Sequence, residues 1–347
     1  MALVARENCK NADFIGHNGW VTCLDVGTTK DDEGKDVEFL VSGSRDNKVI
    51  IWEITERKQS DGDATWGFPK RVLSGHSHFV QDLTLSIDSS YALTASWDKT
   101  LRLWDLKKAK THKYFVSHEK DCLSCSFSAD NRLIASGGMD KNIKIWNTVA
   151  ECKFTVEEDN HTDWVSAVRF SPDTKDNILV TGSWDGTIKV WDSTTMTLQN
   201  TFVGHTNAVT SLAFAAKTCF LASGGKDGNI ILWNVAGQFL KSQQHTHPIN
   251  HVIFSKTKYW CAAATDDGIL IWDLKNNTTD HFENYLEDDE EPVSEDEEEK
   301  KEEDGGKKIK EKKKIPCLSL AWSKDDQLLY SGWADNVIRV YEVVAPQ

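Results

Sequence analysis

Short apolar or alternating segments recur along this chain, and most of them end in a tryptophan. Residues 49–52, 101–104 and 143–146 follow Asp-Asn or Asp-Lys turns and end in Trp, a pattern typical of short β-strands. Seven aromatic residues close successive segments: Trp52, Trp104, Trp146, Trp191, Trp233, Trp272 and Tyr341. The intervals between them are 52, 42, 45, 42, 39 and 69 residues. Because a period of about 40–45 residues is typical of one propeller blade, we predict an all-β, seven-bladed β-propeller.

Each repeat also carries polar residues at fixed distances from its closing aromatic residue. An aspartate lies six positions before it: Asp46, Asp98, Asp140, Asp185, Asp227, Asp266 and Asp335. A hydroxyl residue lies four positions before that aspartate in six repeats: Ser42, Thr94, Ser136, Thr181, Ser223 and Ser331. Ala262 takes this position in the sixth repeat. A histidine opens five repeats: His17, His76, His118, His161 and His205.

These four residue types can form one chain of hydrogen bonds in each blade. In blade two, the Trp104 indole can donate to the Thr94 hydroxyl, and His76 can join that hydroxyl to Asp98. Such a tetrad satisfies polar atoms that a packed sheet would otherwise bury without partners. A His-Asp-Ser set also resembles a hydrolase triad, but a set that recurs in every blade is structural. No nucleophile, paired acid or phosphate-binding loop stands apart from the repeats, so we predict that the chain is not an enzyme.

Two segments fall outside the regular repeats. We predict one domain over residues 1–347, in which residues 3–15 supply the outer strand of the last blade and close the ring. Residues 285–314 extend the longest interval, and residues 287–314 carry 14 acidic residues against 8 lysines. Such a segment cannot bury enough apolar surface to order itself. We therefore expect a disordered insertion between blades six and seven, which is either without a specific role or a regulatory or partner-binding arm.

Composition narrows the function further. The net charge of −14 argues against a nucleic-acid ligand, but residues 45–113 carry 12 basic against 9 acidic residues, and a locally basic edge can still meet phosphate.

Cys122 and Cys125 form a C-x-x-C in a predicted strand, where a spacing of three places the thiols on opposite faces. We expect reduced, buried thiols rather than a redox or zinc site. No 18-residue apolar run and no apolar leader occur, so we expect neither a membrane span nor secretion. We predict no cofactor, metal or small-molecule substrate.

Several phrases are more specific than the repeat itself. These are Gly-His-Asn-Gly-Trp-Val-Thr at 16–22, Ser-Arg-Asp at 44–46, Leu-Ser-Gly-His-Ser-His-Phe-Val at 73–80, and Tyr-Trp-Cys-Ala-Ala-Ala-Thr at 259–265. Through them, and over nearly its whole length, the chain resembles the receptors for activated C kinase, the Gβ-like WD-repeat scaffolds of the small ribosomal subunit. The resemblance implies a cytoplasmic, ribosome-associated scaffold on the head of the 40S subunit. Its implied partners are 18S ribosomal RNA, 40S head proteins, protein kinase C and other signalling proteins.

The resemblance also implies where RNA binds. The family contacts ribosomal RNA through an Arg-Asp-Lys turn in blade one, which here is Arg45-Asp46-Asn47 followed by Lys48. Arg71 matches a second basic position, and Lys70 and Lys99 are further candidates. Each of these side chains, taken singly, is more typical of a solvated surface charge. The resemblance favours RNA binding for Arg45 and Arg71 and leaves both interpretations open for Lys48, Lys70 and Lys99.

Aromatic residues in the predicted loops are candidate anchors for protein partners. Trp20, Phe79 and Trp164 lie three positions after a repeat histidine, whereas Trp97 and Trp184 directly precede a repeat aspartate. Large rings at such positions either anchor partners or pack between blades. Tyr259 matches a position that the family uses for tyrosine phosphorylation and kinase docking, although its Tyr-Trp context also fits a strand core.

Two other functions use the same ring. A heterotrimeric G-protein β subunit needs a long N-terminal helix, whereas only fifteen residues without heptads precede Gly16. A substrate adaptor of a ubiquitin ligase or chromatin complex does not account for the phrases in blades one and two. The ribosomal scaffold is therefore the function that the sequence favours.

Overall fold

The strands of this chain fall into seven antiparallel sheets. The computed structural model describes residues 2–4, 14–30, 34–54, 67–174, 177–215, 220–284 and 314–344. Within these ranges there is no helix. Six sheets have four strands each and the seventh has five. The predicted all-β, seven-bladed propeller is therefore confirmed.

Each sheet is built from strands that follow one another in the chain. Blade one contains β3 (Val21–Lys30), β4 (Asp36–Ser44), β5 (Lys48–Ile54) and β6 (Gly67–Ser74). Blade two contains β7 (Val80–Leu85), β8 (Tyr91–Ser96), β9 (Thr100–Asp105) and β10 (Lys110–Val116). Blade three contains β11 (Cys122–Phe127), β12 (Leu133–Gly138), β13 (Ile143–Asn147) and β14 (Cys152–Thr155). Blade four contains β15 (Val165–Phe170), β16 (Ile178–Ser183), β17 (Thr187–Asp192) and β18 (Leu198–Val203).

The remaining blades follow the same order. Blade five contains β19 (Val209–Phe214), β20 (Phe220–Gly225), β21 (Asn229–Asn234) and β22 (Phe239–Gln244). Blade six contains β23 (Ile249–Phe254), β24 (Trp260–Thr265), β25 (Gly268–Asp273) and β26 (Thr278–Glu283). Blade seven contains β27 (Cys317–Trp322), β28 (Leu328–Trp333) and β29 (Val337–Val344), and it is completed by β1 (Ala2–Val4) and β2 (Phe14–Ile15).

The two ends of the chain close the ring in blade seven. Both N-terminal strands pair with β29, so that Ala2 faces Val344 and Phe14 faces Ile338. The Ser319 hydroxyl of blade seven also donates to the Val21 carbonyl of blade one, at 3.3 Å. The predicted outer strand over residues 3–15 is therefore present as two short strands, and residues 5–13 lie outside the described ranges.

The closing tryptophans fill the spaces between neighbouring blades. Seven clusters of buried apolar residues occur in the described part of the chain, one between each pair of blades. Trp104, for example, closes blade two but packs with Val49 and Leu73 of blade one. Trp52 lies in the cluster that joins blade seven to blade one and has no exposed surface. Replacing such a tryptophan with alanine should destabilise the fold by about 3–5 kcal/mol.

A β-bulge at the start of each inner strand changes which side chains share a face. The pairing shifts at Val21/Cys23, Val80/Asp82, Cys122/Ser124, Val165/Ala167, Val209/Ser211, Ile249/His251 and Cys317/Ser319. Because the bulge adds one residue, Cys122 and Cys125 both point into the cluster around Trp146. The prediction of opposite faces is therefore wrong. Both thiols are buried and free, and burial raises the pKa of each, so they are poor nucleophiles and metal ligands.

The charged insertion lies almost wholly outside the described residues, since residues 285–313 are not described. Its last predicted residue, Lys314, is described and forms an ion pair with Glu283 at 2.6 Å. Among the described residues there is no helix with the length and hydropathy needed to span a bilayer.

Candidate functional site

In blades one to five the tetrad residues meet inside the sheet. In blade two, the Trp104 indole donates to the Thr94 hydroxyl at 2.9 Å, and His76 Nε2 lies 2.7 Å from that hydroxyl. His76 Nδ1 lies 2.7 Å from Asp98. The corresponding contacts in blades one, three, four and five are 2.7–3.0 Å. The five histidine side chains have no exposed surface.

Protonation in the tetrads follows from burial and hydrogen bonding. Burial lowers the pKa of His76, which keeps the ring neutral at physiological pH. Burial alone would raise the pKa of Asp98, but hydrogen bonds from His76, Thr100 and the Ser77 N–H outweigh it and hold the pKa below the ordinary value. The carboxylate therefore stays ionised, as it must to accept these hydrogen bonds.

Blade six has a different aspartate from the one that the spacing predicts. His245 Nε2 contacts Asp267 at 3.0 Å, whereas Asp266 accepts a hydrogen bond from the Asn250 amide. The choice of Asp266 was wrong because only two residues separate β24 from β25, so the aspartate lies five positions before Trp272. The signal was present in the sequence, since His245 and Asp267 are 22 residues apart, as are His76 and Asp98.

Blade seven lacks a histidine among the described residues at this position. Asp335 is held instead by the guanidinium of Arg339, with Nη1 donating at 3.1 Å and Nη2 at 2.5 Å. The Ser331 hydroxyl accepts from the Trp333 indole at 2.7 Å. Blades six and seven thus depart from the tetrad in different ways.

The loops that enter each blade contact the aspartate turns of the same blade. The Arg45 N–H donates to the Trp20 carbonyl at 2.9 Å, and the Trp97 N–H donates to the Phe79 carbonyl at 3.0 Å. Gly19 is required for this approach, because a Cβ there would lie 2.7 Å from the Asp46 backbone nitrogen. The aspartate turns and the loops that carry Trp20 and Phe79 therefore lie at one end of the ring, which we call the tetrad face.

Arg45 packs against two aromatic rings at the junction of blades one and two. Its guanidinium carbon is 4.0 Å from the Trp20 ring centroid and 5.3 Å from that of Phe79. Its Nε is buried and has no hydrogen-bond partner among the described residues, and burial lowers the pKa of Arg45. The two rings hold the cation in place, an arrangement suited to an incoming anion.

The rings continue from Arg45 into blade two. Phe79 and Trp97 have centroids 5.4 Å apart, and Trp97 stacks on His78 at 5.7 Å. Lys99 follows Trp97 in the same turn, and Lys48 follows Arg45 in the turn of blade one; both lysines are exposed. The structure therefore brings Arg45, Lys48 and Lys99 to the tetrad face of neighbouring blades.

The asparagine in place of the family lysine suits the backbone of its turn. Asn47 has φ +66°, and the equivalent Lys99 and Lys141 have φ +71° and +70°. Asparagine tolerates this left-handed conformation better than lysine does. Lys48 is the next residue, and its N–H donates to Asp46 at 2.9 Å, which fixes its Cα at the edge of the turn.

The other two basic candidates lie elsewhere and have partners. Lys70 and Arg71 are on β6, the outer strand of blade one. Lys70 forms an ion pair with Glu53 at 2.6 Å. Arg71 donates to the carbonyls of Leu106 and Lys107 in blade two. The structure therefore does not bring these residues together with Arg45.

A second aromatic cluster lies on the tetrad face of blades four and five. The rings of Trp164 and Trp184 have centroids 4.4 Å apart, and the Trp184 N–H donates to the Trp164 carbonyl at 3.0 Å. Lys226 of blade five lies over Trp184, with Nζ 3.7 Å from the ring centroid. Lys226 directly precedes Asp227, just as Arg45 precedes Asp46. That shared position identifies a residue which the sequence reasoning missed.

Tyr259 is separate from both clusters. It directly precedes β24, in the loop at the opposite end of the sheets from the aspartate turns, and it is 71% exposed. Its carbonyl accepts from the Leu274 N–H. The strand-core interpretation of Tyr259 is therefore wrong, whereas the adjacent Trp260 is buried.

Comparison with known proteins gives a consistent result. The family model of the WD domain, G-beta repeat, matches seven segments: 8–53, 67–105, 109–147, 151–192, 196–234, 237–273 and 308–342. The chain is 43% identical to the small ribosomal subunit protein RACK1 of Drosophila melanogaster over 331 residues, which is 95% of each chain. It is 42% identical to the protein of the same name from Neurospora crassa, over 95% of this chain and 96% of that one. It is 41% identical to MST50-interacting protein 11 of Pyricularia oryzae, again over 95% and 96%.

Proposed function

The chain belongs to the WD-repeat family of the small ribosomal subunit protein RACK1, and from this premise we propose that it is a cytoplasmic scaffold bound to the 40S ribosomal subunit. The family is non-catalytic, in agreement with the prediction that the chain is not an enzyme. We place the 40S contact on the subunit head, through 18S ribosomal RNA and neighbouring head proteins. The scaffold then carries signalling proteins, protein kinase C among them, to the translating ribosome.

The proposed RNA contact is supported by Arg45, which packs against two aromatic rings at the junction of blades one and two. Arg45 is fixed between Trp20 and Phe79, so little side-chain entropy is lost when a phosphate binds it. Lys48 and Lys99 add mobile charges on either side. Such contacts position a protein on RNA without reading its sequence. This fits a protein with one fixed place on the ribosome.

The overall charge of the chain does not oppose this contact. The net charge is −14, but charges more than about 8–10 Å apart are largely screened at physiological salt. We assign the first phosphate contacts to Arg45, Lys48 and Lys99. Lys70 and Arg71 already pair with Glu53 and two carbonyls, so we assign them a place at the edge of the interface.

The aromatic cluster of blades four and five is our candidate site for protein partners. Trp164, Trp184 and Lys226 present two rings and a cation on the same end of the ring, and aromatic anchors of this kind dominate protein interfaces. Because the RNA contact uses blades one and two, a partner on blades four and five can bind at the same time. Tyr259, at the other end of the blade-six sheet, offers a separate kinase-docking or phosphorylation position.

The test is co-sedimentation of the full chain with purified 40S subunits. Replacing Arg45 with Asp and Lys48 with Glu reverses two charges and should release the protein, with little change in its thermal melt. The matched control is Lys275→Glu with Lys324→Glu. These lysines are exposed in the loops after β25 and β27, at the opposite end of the sheets. Retention of the first variant, or equal loss of both variants, would remove the assignment of the RNA contact.

A further inference from the structure

Blade six gathers three imidazoles around one carboxylate. Asp267 Oδ1 lies 3.0 Å from His245 Nε2 and 3.3 Å from His281 Nε2. The other carboxylate oxygen, Oδ2, lies 2.9 Å from His247 Nδ1. Glu283 borders the group, with Oε1 3.7 Å from His281 Nδ1. We call these five residues the blade-six cluster.

Two subsets of this cluster have the spacing of metal ligands. One ligand atom from each of His245, His247 and Asp267 can be chosen so that all lie within 4.8 Å of one another. The same holds for Asp267, His281 and Glu283. The two sets share Asp267, so one carboxylate stands at the centre of both.

Three elements of the fold hold these residues in place. His245 and His247 lie in the loop between β22 and β23, Asp267 lies in the turn between β24 and β25, and His281 is on β26. Gly268 lets β25 approach β26 beside the cluster, because its φ is +157° and a Cβ there would lie 2.0 Å from the Phe282 carbonyl oxygen. The donor atoms are therefore positioned by strand ends and a short turn.

The tetrad pattern accounts for only one of the three imidazoles. His245 takes the place of the tetrad histidine, but Ala263 occupies the hydroxyl position, since Cys261 faces Trp272 as Ala92 faces Trp104. His247 and His281 have no counterpart in the other tetrads. The side chains of His245, His247 and His281 are 13%, 43% and 24% exposed, whereas that of Asp267 is 4% exposed. An ion can thus reach a carboxylate that is otherwise buried.

His281 supplies an independent sign of a missing ligand. Its Nε2 is buried and lies 3.3 Å from Asp267 Oδ1, but it forms no hydrogen bond among the described residues, although buried polar atoms are normally paired. A metal ion held by the cluster would supply this missing partner.

We propose that the blade-six cluster binds one divalent transition-metal ion, Zn²⁺ in the first place, through His245, His247, Asp267 and His281. Nitrogen and carboxylate oxygen ligands that lie about 2.0–2.2 Å from Zn²⁺ in tetrahedral geometry are about 3.3–3.6 Å from one another. The observed imidazole–carboxylate distances of 2.9, 3.0 and 3.3 Å need to change by only a few tenths of an ångström. Ca²⁺ and Mg²⁺ are disfavoured, because they take oxygen ligands.

Lys314 allows a test in which a substitution should strengthen metal binding rather than weaken it. Its ammonium lies 3.6 Å from Asp267 Oδ2 and 2.6 Å from Glu283 Oε1. A metal ion on Asp267 and this ammonium repel each other. Removing the charge with Lys314→Gln should therefore tighten metal binding severalfold, whereas changes to the ligands should weaken it.

The experiment is isothermal titration of the metal-stripped full chain with Zn²⁺, with Co²⁺ absorption as a reporter of tetrahedral coordination. We expect one saturable site in the unaltered chain. His247→Ala and His281→Ala should each weaken binding at least tenfold, and the double variant should abolish the Co²⁺ spectrum. The matched control is His112→Ala, an exposed histidine on β10 of blade two, which should bind as the unaltered chain does.

Each result decides the proposal. Equal Zn²⁺ affinity in the double variant and the unaltered chain would place the ion elsewhere, and the absence of a saturable site in the unaltered chain would show that no ion binds. Melting curves in EDTA establish that the variants fold, and His281→Gln provides a second, shape-preserving change. The readout does not involve ribosomes, so its outcome is distinct from that of the proposed function.

Discussion

Removing one tetrad hydroxyl should expose how much the polar chain contributes to a blade. Thr94 accepts from the Trp104 indole at 2.9 Å and lies 2.7 Å from His76 Nε2. Thr94→Val keeps the shape of the side chain but leaves both nitrogens without a partner. Thr94 has no exposed surface and Trp104 is 1% exposed, so water cannot replace the hydroxyl. A buried unsatisfied polar group costs about 1–3 kcal/mol, and two such groups predict a loss of about 2–6 kcal/mol.

The assay is urea unfolding monitored by tryptophan fluorescence. If the slope of the free energy against urea concentration is unchanged, the shift in midpoint gives the change in the free energy of unfolding. Thr94→Ser keeps the hydroxyl and loses one buried methyl, so it should cost about 1 kcal/mol. Thr201→Val, on the exposed face of the outer strand of blade four, should stay within about 0.5 kcal/mol of the unaltered chain. If Thr94→Val is as stable as Thr94→Ser, the hydrogen-bonded tetrad does not brace the blade and the reasoning is refuted.

Three further predictions concern the tetrads, the aromatic cluster of blades four and five, and the buried thiols. Because burial lowers the pKa of His76 and His205, the unfolded chain binds more protons than the folded one below about pH 6.5, so stability should fall as the pH decreases from there. The pKa of Asp98 is also below its ordinary 3.8, so the loss should steepen below about pH 4; a melting temperature that is flat from pH 7 to pH 4 would contradict this. Trp184→Ala should weaken binding of a protein kinase C fragment in a pull-down at least tenfold while leaving 40S co-sedimentation intact, and loss of both would show that the two surfaces are not separate. Cys122 and Cys125 should resist a thiol reagent under native conditions and react only after unfolding, as mass spectrometry will show, whereas the exposed Cys152 should react at once.

The sequence predicts the blades and tetrads wherever the repeat keeps its regular spacing. Seven closing aromatic residues predict seven blades, and the recurring His-to-Asp distance predicts the tetrads of blades one to five. The repeat pattern misleads where one residue is gained or lost. A turn one residue shorter moved the blade-six aspartate to Asp267, and a bulge turned Cys122 and Cys125 to the same cluster.

The remaining details depend on contacts between segments that are distant in the sequence, which no local pattern shows. Arg71 is basic and lies just before the loop phrase at residues 73–80 in the sequence, but its guanidinium donates to carbonyls of blade two. Arg45 is held by one ring of its own blade and one of the next. The blade-six cluster joins residues 245, 247, 267, 281 and 283 from three elements. Short motifs could not reveal it, because its ligands come together only when the sheet pairs.

The most direct test of the central claim is an electron cryo-microscopy map of the full chain bound to the 40S subunit. We predict density for the ring on the head of the subunit, with the turns of Arg45, Lys48 and Lys99 against ribosomal RNA phosphates and the Trp164–Trp184 cluster open to solvent or a partner. A ring that meets the subunit through blades four and five, or no ring on the 40S head at low salt, would contradict it.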